Sequence, residues 1–528
     1  MFLTREEEYK TLDKRVNSFI EGYRQNIALI GPTLSGKTYF IEQFLEDKYL
    51  NEKTLPVYAD LEYLSFSEFV RIIFTCLLFN FTKKQKGRSL DNLDLLILES
   101  EKSIPKTTEK MKNTLGLLAL SQKINFDSVT EVLDEFISET QIKLLLVVDN
   151  FTLLKDFPKK LVSEFTKYII AQKNIMFIFI SGKIKEAELI LSQELNILFG
   201  SFEKIYLENL SHQEALYCID TRLQDKLDAN SKKFLIELTD GFPFYLEIII
   251  QDLLDSSSEK IDSRLLVTRL SNLLIDPGSC LYQIFMNKIN RIKLSFKDKF
   301  LINPLLILIA QGYTRKKDLL ALLKIDSQNL NAKLAKLLEI NTLNKSGSFY
   351  FIPDKLFSFW VCSVFKIGIT APLIFHQDRK ASIENKLLAR LEEFKQADSQ
   401  DNLQRFIDLV HLFKDDTVKT GKKSISLPHI KRLKIVPAHN EEMKFIIGEA
   451  KEYYLILAFK ENSPEDTDIL EFSNRCSYFR NKQPKKIFIT LKKADVTAKL
   501  LAKEKRLFFW EREDVNLLLR LYNQPSII

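Results

Sequence analysis

Residues 31–38 read Gly-Pro-Thr-Leu-Ser-Gly-Lys-Thr, and these types at this spacing can hold a chain of phosphates. Gly31 and Gly36 let the backbone wrap closely, so that the run through Pro32, Thr33, Leu34 and Ser35 turns N–H groups and a helix N-terminus toward an anion. Lys37 carries an ammonium to the β- and γ-phosphates, and the Thr38 hydroxyl is a ligand for Mg2+. The run matches G-x-x-x-x-G-K-[ST] in full, in a chain with only 14 glycines among 528 residues, so an accidental match is rare. The pattern points to ATP and Mg2+ as the ligands.

A second group of residues fits the same chemistry. Five apolar residues at 144–148 end in Asp149-Asn150. A buried strand ending this way sets its carboxylate beside a phosphate loop, where it holds Mg2+ through water. Thr38 and Asp149 are thus the metal residues, and Lys37, Asp149 and Asn150 the catalytic candidates. ATPases of this general type usually carry Glu at the position of Asn150. An amide orients water but does not accept its proton, so tight binding is expected with slow ATP hydrolysis, below about one turnover per second. Ser181, after the apolar run 175–180, is a candidate sensor of the γ-phosphate or a plain turn residue. Gly241-Phe242-Pro243 is a G-x-P segment at a helix start, where proline also serves capping.

A sheet has to bring these groups together. Apolar runs at 27–30, 55–59, 144–148, 175–180 and 204–207 alternate with helical stretches, the order of a parallel α/β sheet. Residues 1–210 are expected to form a P-loop ATPase core, in which the basic run 83–88 is a solvated loop. Residues 211–290 read as a helical lid opening on a Ser211/Glu214 capping box. A winged helix-turn-helix is expected at 291–355, a helical connector at 356–430, and an α/β domain at 431–528.

Taken together, Arg5 and Glu8 ahead of the loop, the Asp149 strand, Ser181 and Gly241-x-Pro243 resemble the archaeal-type branch of the STAND P-loop ATPases, over about residues 1–360. The resemblance implies an AAA-like ATPase in which the N-terminal Arg/Glu segment lies against the base and the G-x-P proline contacts adenine. Arg5, Glu8 and Pro243 are then the adenine-side residues. Residues 352–360, running from Asp354 to Trp360, resemble the stretch that follows the wing in that family. Two positions depart from the pattern: Asn150, and Gly200-Ser201 where the family often has Gly-Arg. Both weigh against vigorous catalysis rather than against binding.

In the winged module, helices are expected at 296–310, at 315–323 capped by Thr314, and at 327–338 capped by Asp326, with a hairpin at 343–351 turning at Gly347. The third helix offers Gln328, Asn329, Asn331, Lys333 and Lys336 to the base edges or phosphates of double-stranded DNA. Winged helices of this family also serve as protein–protein or intramolecular contacts. Strands at 433–436, 444–447 and 453–459, a helix from about 465, a strand at 486–490, a helix from Asp495 and a strand at 507–510 resemble the restriction-endonuclease-like fold. An active site of that fold needs an acid on the second strand and Glu-x-Lys on the third. Here the third strand reads Ala458-Phe459-Lys460 and the nearest acid to the second is Glu449. The domain is read as an inactive nuclease fold kept for binding.

Composition bounds these readings. Lys and Arg number 77 against 70 Asp and Glu, a net +7 of which +5 lies in residues 431–528. That is compatible with nucleic acid without requiring it. Five scattered cysteines form no C-x-x-C pair, which fits a reducing compartment and excludes a zinc site of that kind. No signal-peptide pattern opens the chain, and no apolar run nears the ~20 residues of a membrane span. The sequence thus reads as a cytoplasmic ATP-binding switch with slow hydrolysis, associated with DNA or with a protein partner or a second copy of itself. An ATP-gated nuclease and a replication-initiator-like DNA-binding ATPase are the alternatives.

Overall fold

The computed structural model describes residues 5–49, 52–62, 65–86, 92–119, 126–193, 202–256, 260–371, 376–421, 423–439, 441–451, 454–479 and 484–527. Gly200, Ser201, Gly87, Arg88 and Tyr453 lie outside them. The chain divides into two compact units, residues 1–218 with 242–244, and residues 219–241 with 245–528.

In the first unit the order is α1 (Glu6–Ile20), β1 (Ile27–Ile30), α2 (Lys37–Tyr49), β2 (Thr54–Asp60), β3 (Lys143–Asp149), β4 (Ile175–Ser181) and β5 (Glu203–Tyr206), with further helices between β2 and β3 and around β4. The strands form one parallel sheet in the order β2-β3-β4-β1-β5. Its inner strands are apolar on both faces because both faces are covered. Ile27, Leu29, Leu145, Val147, Met176, Ile178 and Ile180 pack with Leu12, Val16 and Phe19 of α1 and Phe40, Ile41 and Phe44 of α2. The alternate residues Ala28, Ile30, Leu144, Leu146, Phe177 and Phe179 face Phe69, Phe74, Phe136 and Phe165 on the other side. Burying each such Phe or Leu is worth roughly 1.5–3 kcal/mol over leaving it exposed, which fixes the sheet firmly. Because all five strands run the same way, the phosphate-loop run, Asp60, Asp149 and Ser181 emerge at one edge.

One expectation in this unit fails. Lys83–Lys86 are not a loop but the last residues of the helix Phe66–Lys86, with the Lys84 ammonium donating to the Thr54 carbonyl at 3.1 Å.

Helices dominate from His212 to Leu294. The Ser211/Glu214 capping box forms: the Ser211 N–H donates to the Glu214 carboxylate at 2.7 Å, and the Glu214 N–H to the Ser211 hydroxyl at 3.3 Å. Next come helices Ile302–Ala310, Lys316–Leu323 and Ser327–Glu339 and an antiparallel hairpin of β6 (Asn344–Ser346) and β7 (Phe349–Phe351). Asp326 caps its helix through the Asn329 N–H at 2.8 Å. The first helix starts later than 296, because Leu301 sits at φ +67° and Asp298 closes a turn on the Phe300 N–H. Thr314 is not a cap: its carbonyl accepts the Tyr350 N–H of β7 at 2.8 Å, and its hydroxyl is buried.

Residues 356–430 are not helical throughout. After helices His376–Ser399 and Asn402–His411, β8 (Asp416–Thr420) and β9 (Lys423–Leu427) form a second hairpin. In β8 the residues alternate buried and exposed, the period of a half-buried strand. This hairpin covers the tip of the first. The Ser348 N–H donates to the Thr417 carbonyl at 2.8 Å, the Ser346 hydroxyl to the Lys419 carbonyl at 2.9 Å, and a Cβ on Gly347 would lie 1.9 Å from the Thr417 oxygen.

The last sheet contains β10 (Arg432–Pro437), β11 (Met443–Glu449), β12 (Tyr454–Lys460), β13 (Lys485–Thr490) and β14 (Phe508–Trp510), in that order. β10, β11 and β12 pair antiparallel, and β12, β13 and β14 parallel. Ile456, Ala458 and Phe488 pack against Ile469, Phe472 and Ala498 on one face, while Leu455, Leu457 and Ile487 pack against Phe406, Val410 and Leu518 on the other. Glu449 is the last residue of β11.

Candidate functional site

β1 delivers the chain into the 31–38 loop, and α2 begins at Lys37. Gly31 is required by close approach, since a Cβ there would stand 2.1 Å from the Leu207 carbonyl oxygen. Leu34 at φ +66° and Gly36 at φ +83° turn the loop onto the helix. The Lys37 ammonium is buried and donates to the carbonyls of Gly31 at 3.1 Å and Pro32 at 2.6 Å and to the Ser35 hydroxyl at 3.4 Å. Burial pushes its pKa down to about 8; attraction to Asp149 acts against that shift, and Arg5 reinforces it.

Beside this loop stands Asp149. Its Oδ2 accepts the Thr38 hydroxyl at 2.9 Å and the Tyr58 phenol at 2.8 Å, and its Oδ1 the backbone N–H of Asn150 at 2.7 Å. Lys37, Thr38 and Asp149 are therefore brought together. Tyr58 was not among the residues legible as functional; burial and then Asp149 hold its phenol well above its ordinary range, so it remains a donor. Asn150 sits at φ +54°, and its side-chain amide donates to Asp60 Oδ1 at 2.8 Å. Asp60, the second residue missed, lies opposite Asp149 in the β2–β3 register. Both strands end in an acid, but only the strand order shows that the two acids are neighbours.

The residues expected on the adenine side, and Ser181, are placed differently from one another. Arg5 is buried, and its guanidinium donates to the carbonyls of Ser35 at 3.3 Å and Glu208 at 2.6 Å, with Glu8 at 3.7 Å. Its bonds tie the phosphate loop to the end of the sheet. Ser181 is fully buried; its hydroxyl accepts the Lys183 N–H at 3.0 Å, and its carbonyl accepts the Gly31 N–H at 3.2 Å. Pro243 is the first residue of the helix Pro243–Asp255.

In the second unit, Gln328, Asn329 and Asn331 are exposed on the helix Ser327–Glu339. Lys333 is not: its side chain is buried and donates to Asp298 at 2.7 Å, because helix periodicity turns it toward the preceding segment. Lys336 is half-buried and pairs with Glu339 at 2.8 Å. Lys460 ends β12 buried, its ammonium 2.7 Å from Asp468, which is buried as well.

The parallel β2-β3-β4-β1-β5 sheet, the loop between β1 and α2 and the aspartate ending β3 define a P-loop NTPase fold. No protein-family model matches the chain, and no curated protein matches it. Among solved structures it is similar to a Walker-type ATPase of Pyrococcus abyssi, at 16% identity over 68% of this chain and 95% of that one, with a TM-score of 0.48. It is similar also to the ORC2 protein of Aeropyrum pernix in ADPNP–ADP complexes, at 11% identity over 74% and 96% with a TM-score of 0.43. For the ORC1 protein of the same organism in complex with DNA the values are 13%, 70% and 94%, with a TM-score of 0.35. Likenesses of this degree carry no functional weight, which falls on the site's own geometry. Among the described residues, no helix is long and apolar enough to cross a membrane.

Proposed function

We propose that the chain binds ATP with Mg2+ and acts as a nucleotide-dependent switch with slow hydrolysis, associated with DNA or a protein partner. The observation that carries this reading is the cluster of Lys37, Thr38 and Asp149 at the end of the phosphate loop. The residues fit both ligands. A hydroxyl and a carboxylate 2.9 Å apart are the hard oxygen donors that Mg2+ takes from protein, with the rest of its shell from water and phosphate. Bound there, the ion would neutralise charge on the phosphate oxygens. The loop and Lys37 fit a polyphosphate, the ammonium exchanging the neutral oxygens of its own loop for charged ones. Arg5 holds the loop in shape through the Ser35 carbonyl, and Tyr58 orients Asp149.

A switch needs ATP to favour one arrangement of the two units over another. Small-angle scattering with and without Mg–ATP tests this directly. A change in profile that vanishes in Lys37→Ala supports the switch; identical profiles refute it.

A replication-initiator-like, DNA-associated ATPase fits at least as well. Its modules would be the P-loop core, the helical region, and the three helices with a hairpin read as a winged helix. The acid missing after Asp149 stands nearby as Asp60. Exposed Gln328, Asn329 and Asn331 supply groups that bond base edges, although Lys333 and Lys336 are engaged in ion pairs and the hairpin tip is covered. Binding of duplex DNA that falls steeply with salt and weakens in Asn331→Ala favours this reading. The nuclease alternative is least supported, since Lys460 is closed onto Asp468 and β11 carries no acid before Glu449. Metal-dependent nicking of plasmid DNA that is lost in Glu449→Ala would revive it.

A further inference from the structure

The strand beside β3 ends in a carboxylate, Asp60, to which no chemical step has been given above. β2 runs parallel to β3 with Asp60 opposite Asp149, so both acids leave the sheet at the edge where the phosphate loop lies. Asp149 already accepts from three donors, the Thr38 hydroxyl and Tyr58 phenol on Oδ2 and the Asn150 N–H on Oδ1. Asp60 is half-buried, and the two hydrogen bonds it accepts among the described residues, from the Asn150 amide at 2.8 Å and the Glu62 N–H at 2.9 Å, both fall on Oδ1. The amide that stands where an acid is usual is thus hydrogen-bonded to an acid on the next strand.

Resting on the nucleotide reading above, we infer that Asp60 accepts the proton of the attacking water during ATP hydrolysis, with Asn150 as the positioning residue that holds it. The water oxygen forms a bond to the γ-phosphorus as the bond to the β–γ bridging oxygen breaks, and the electron pair leaves on ADP. The water's proton passes to Asp60 and from there to solvent or the phosphate product. ATP and water are the only reactants.

The test uses the full chain, single-turnover hydrolysis and equilibrium binding of a fluorescent ATP analogue. Asp60→Asn is expected to slow hydrolysis by about 100-fold or more, the usual worth of a general base. Its Kd stays within twofold of wild type, and the nucleotide recovered from it after incubation is ATP rather than ADP. The exchange variant D60N/N150D, which keeps the hydrogen bond and returns one carboxylate to the pair, is expected to recover hydrolysis at least about tenfold over D60N. Hydrolysis by D60N within threefold of wild type overturns the inference, as does a tenfold loss of affinity, which would make Asp60 a binding residue. Tight binding by wild type with no measurable hydrolysis also overturns it while leaving the nucleotide reading intact. Failure of the wild-type chain to bind the analogue sinks both. If D60N alone is unfolded by circular dichroism, the exchange variant decides: hydrolysis supports the pair, and a folded, binding but inert protein overturns it.

Discussion

Lys37 and Lys460 are both buried near aspartates, and their surroundings give them opposite parts. Lys37, 7% exposed, finds only neutral oxygens within hydrogen-bond reach among the described residues, two loop carbonyls and a hydroxyl. The aspartate nearby is occupied by other donors, and burial brings the lysine pKa down to about 8. Lys460, 3% exposed, donates straight to Asp468 at 2.7 Å, and that carboxylate also accepts the Glu465 N–H in a helix capping box. An ammonium taken out of water is costly unless a counter-charge meets it. At Lys460 the protein provides the counter-charge itself, and the pair is structural. At Lys37, on the function proposed above, a bound polyphosphate brings it.

The largest effect expected from breaking this contrast is at the closed pair. Lys460→Met takes the ammonium away from the buried Asp468 carboxylate and should lower unfolding free energy by about 3–5 kcal/mol, read from denaturant midpoints. K460M/D468N, which removes both charges, should recover most of that loss, and neither variant should alter ATP affinity. Next comes the open lysine. Lys37→Ala should weaken ATP binding roughly 100-fold, from losing up to about 3 kcal/mol of charge-assisted contact, with little change in stability. The two substitutions thus separate folding from binding.

A smaller effect follows from pH. In the free chain Lys37 loses its proton around pH 8, and a bound polyphosphate favours the charged form, so binding raises that pKa. Binding should therefore take up a proton above pH 8, and affinity should fall as pH rises through that value, by up to about tenfold per pH unit. Calorimetry in two buffers of different ionisation heat measures the uptake. Smallest is the influence of Arg5, whose charge helps to depress Lys37. Arg5→Gln should shift the onset of proton uptake to higher pH by a few tenths of a unit; an unmoved onset would show that burial alone sets it.

Much of the frame was legible in the sequence. The octapeptide at 31–38, the apolar run into Asp149 and the alternating strands of residues 431–528 announce themselves through local pattern, and the structure places a strand at each expected run. What escaped depends on pairing across the chain. Asp60 and Tyr58 matter because β2 lies beside β3 in a definite register, and no local signal in residues 54–60 shows which strand is its neighbour. Lys333 looked like a surface cation on an amphipathic helix, yet Asp298, 35 residues earlier, claims it. The β8–β9 hairpin is different, for the alternation from Asp416 to Thr420 and the turn at Gly421 were there to be read.

Titration of Mg–ATP into the purified chain by calorimetry tests the central claim most directly. The account predicts saturable binding at a single site, tighter with Mg2+ than in its absence, and lost in Lys37→Ala. No saturable binding, or binding that survives Lys37→Ala unchanged, would contradict it.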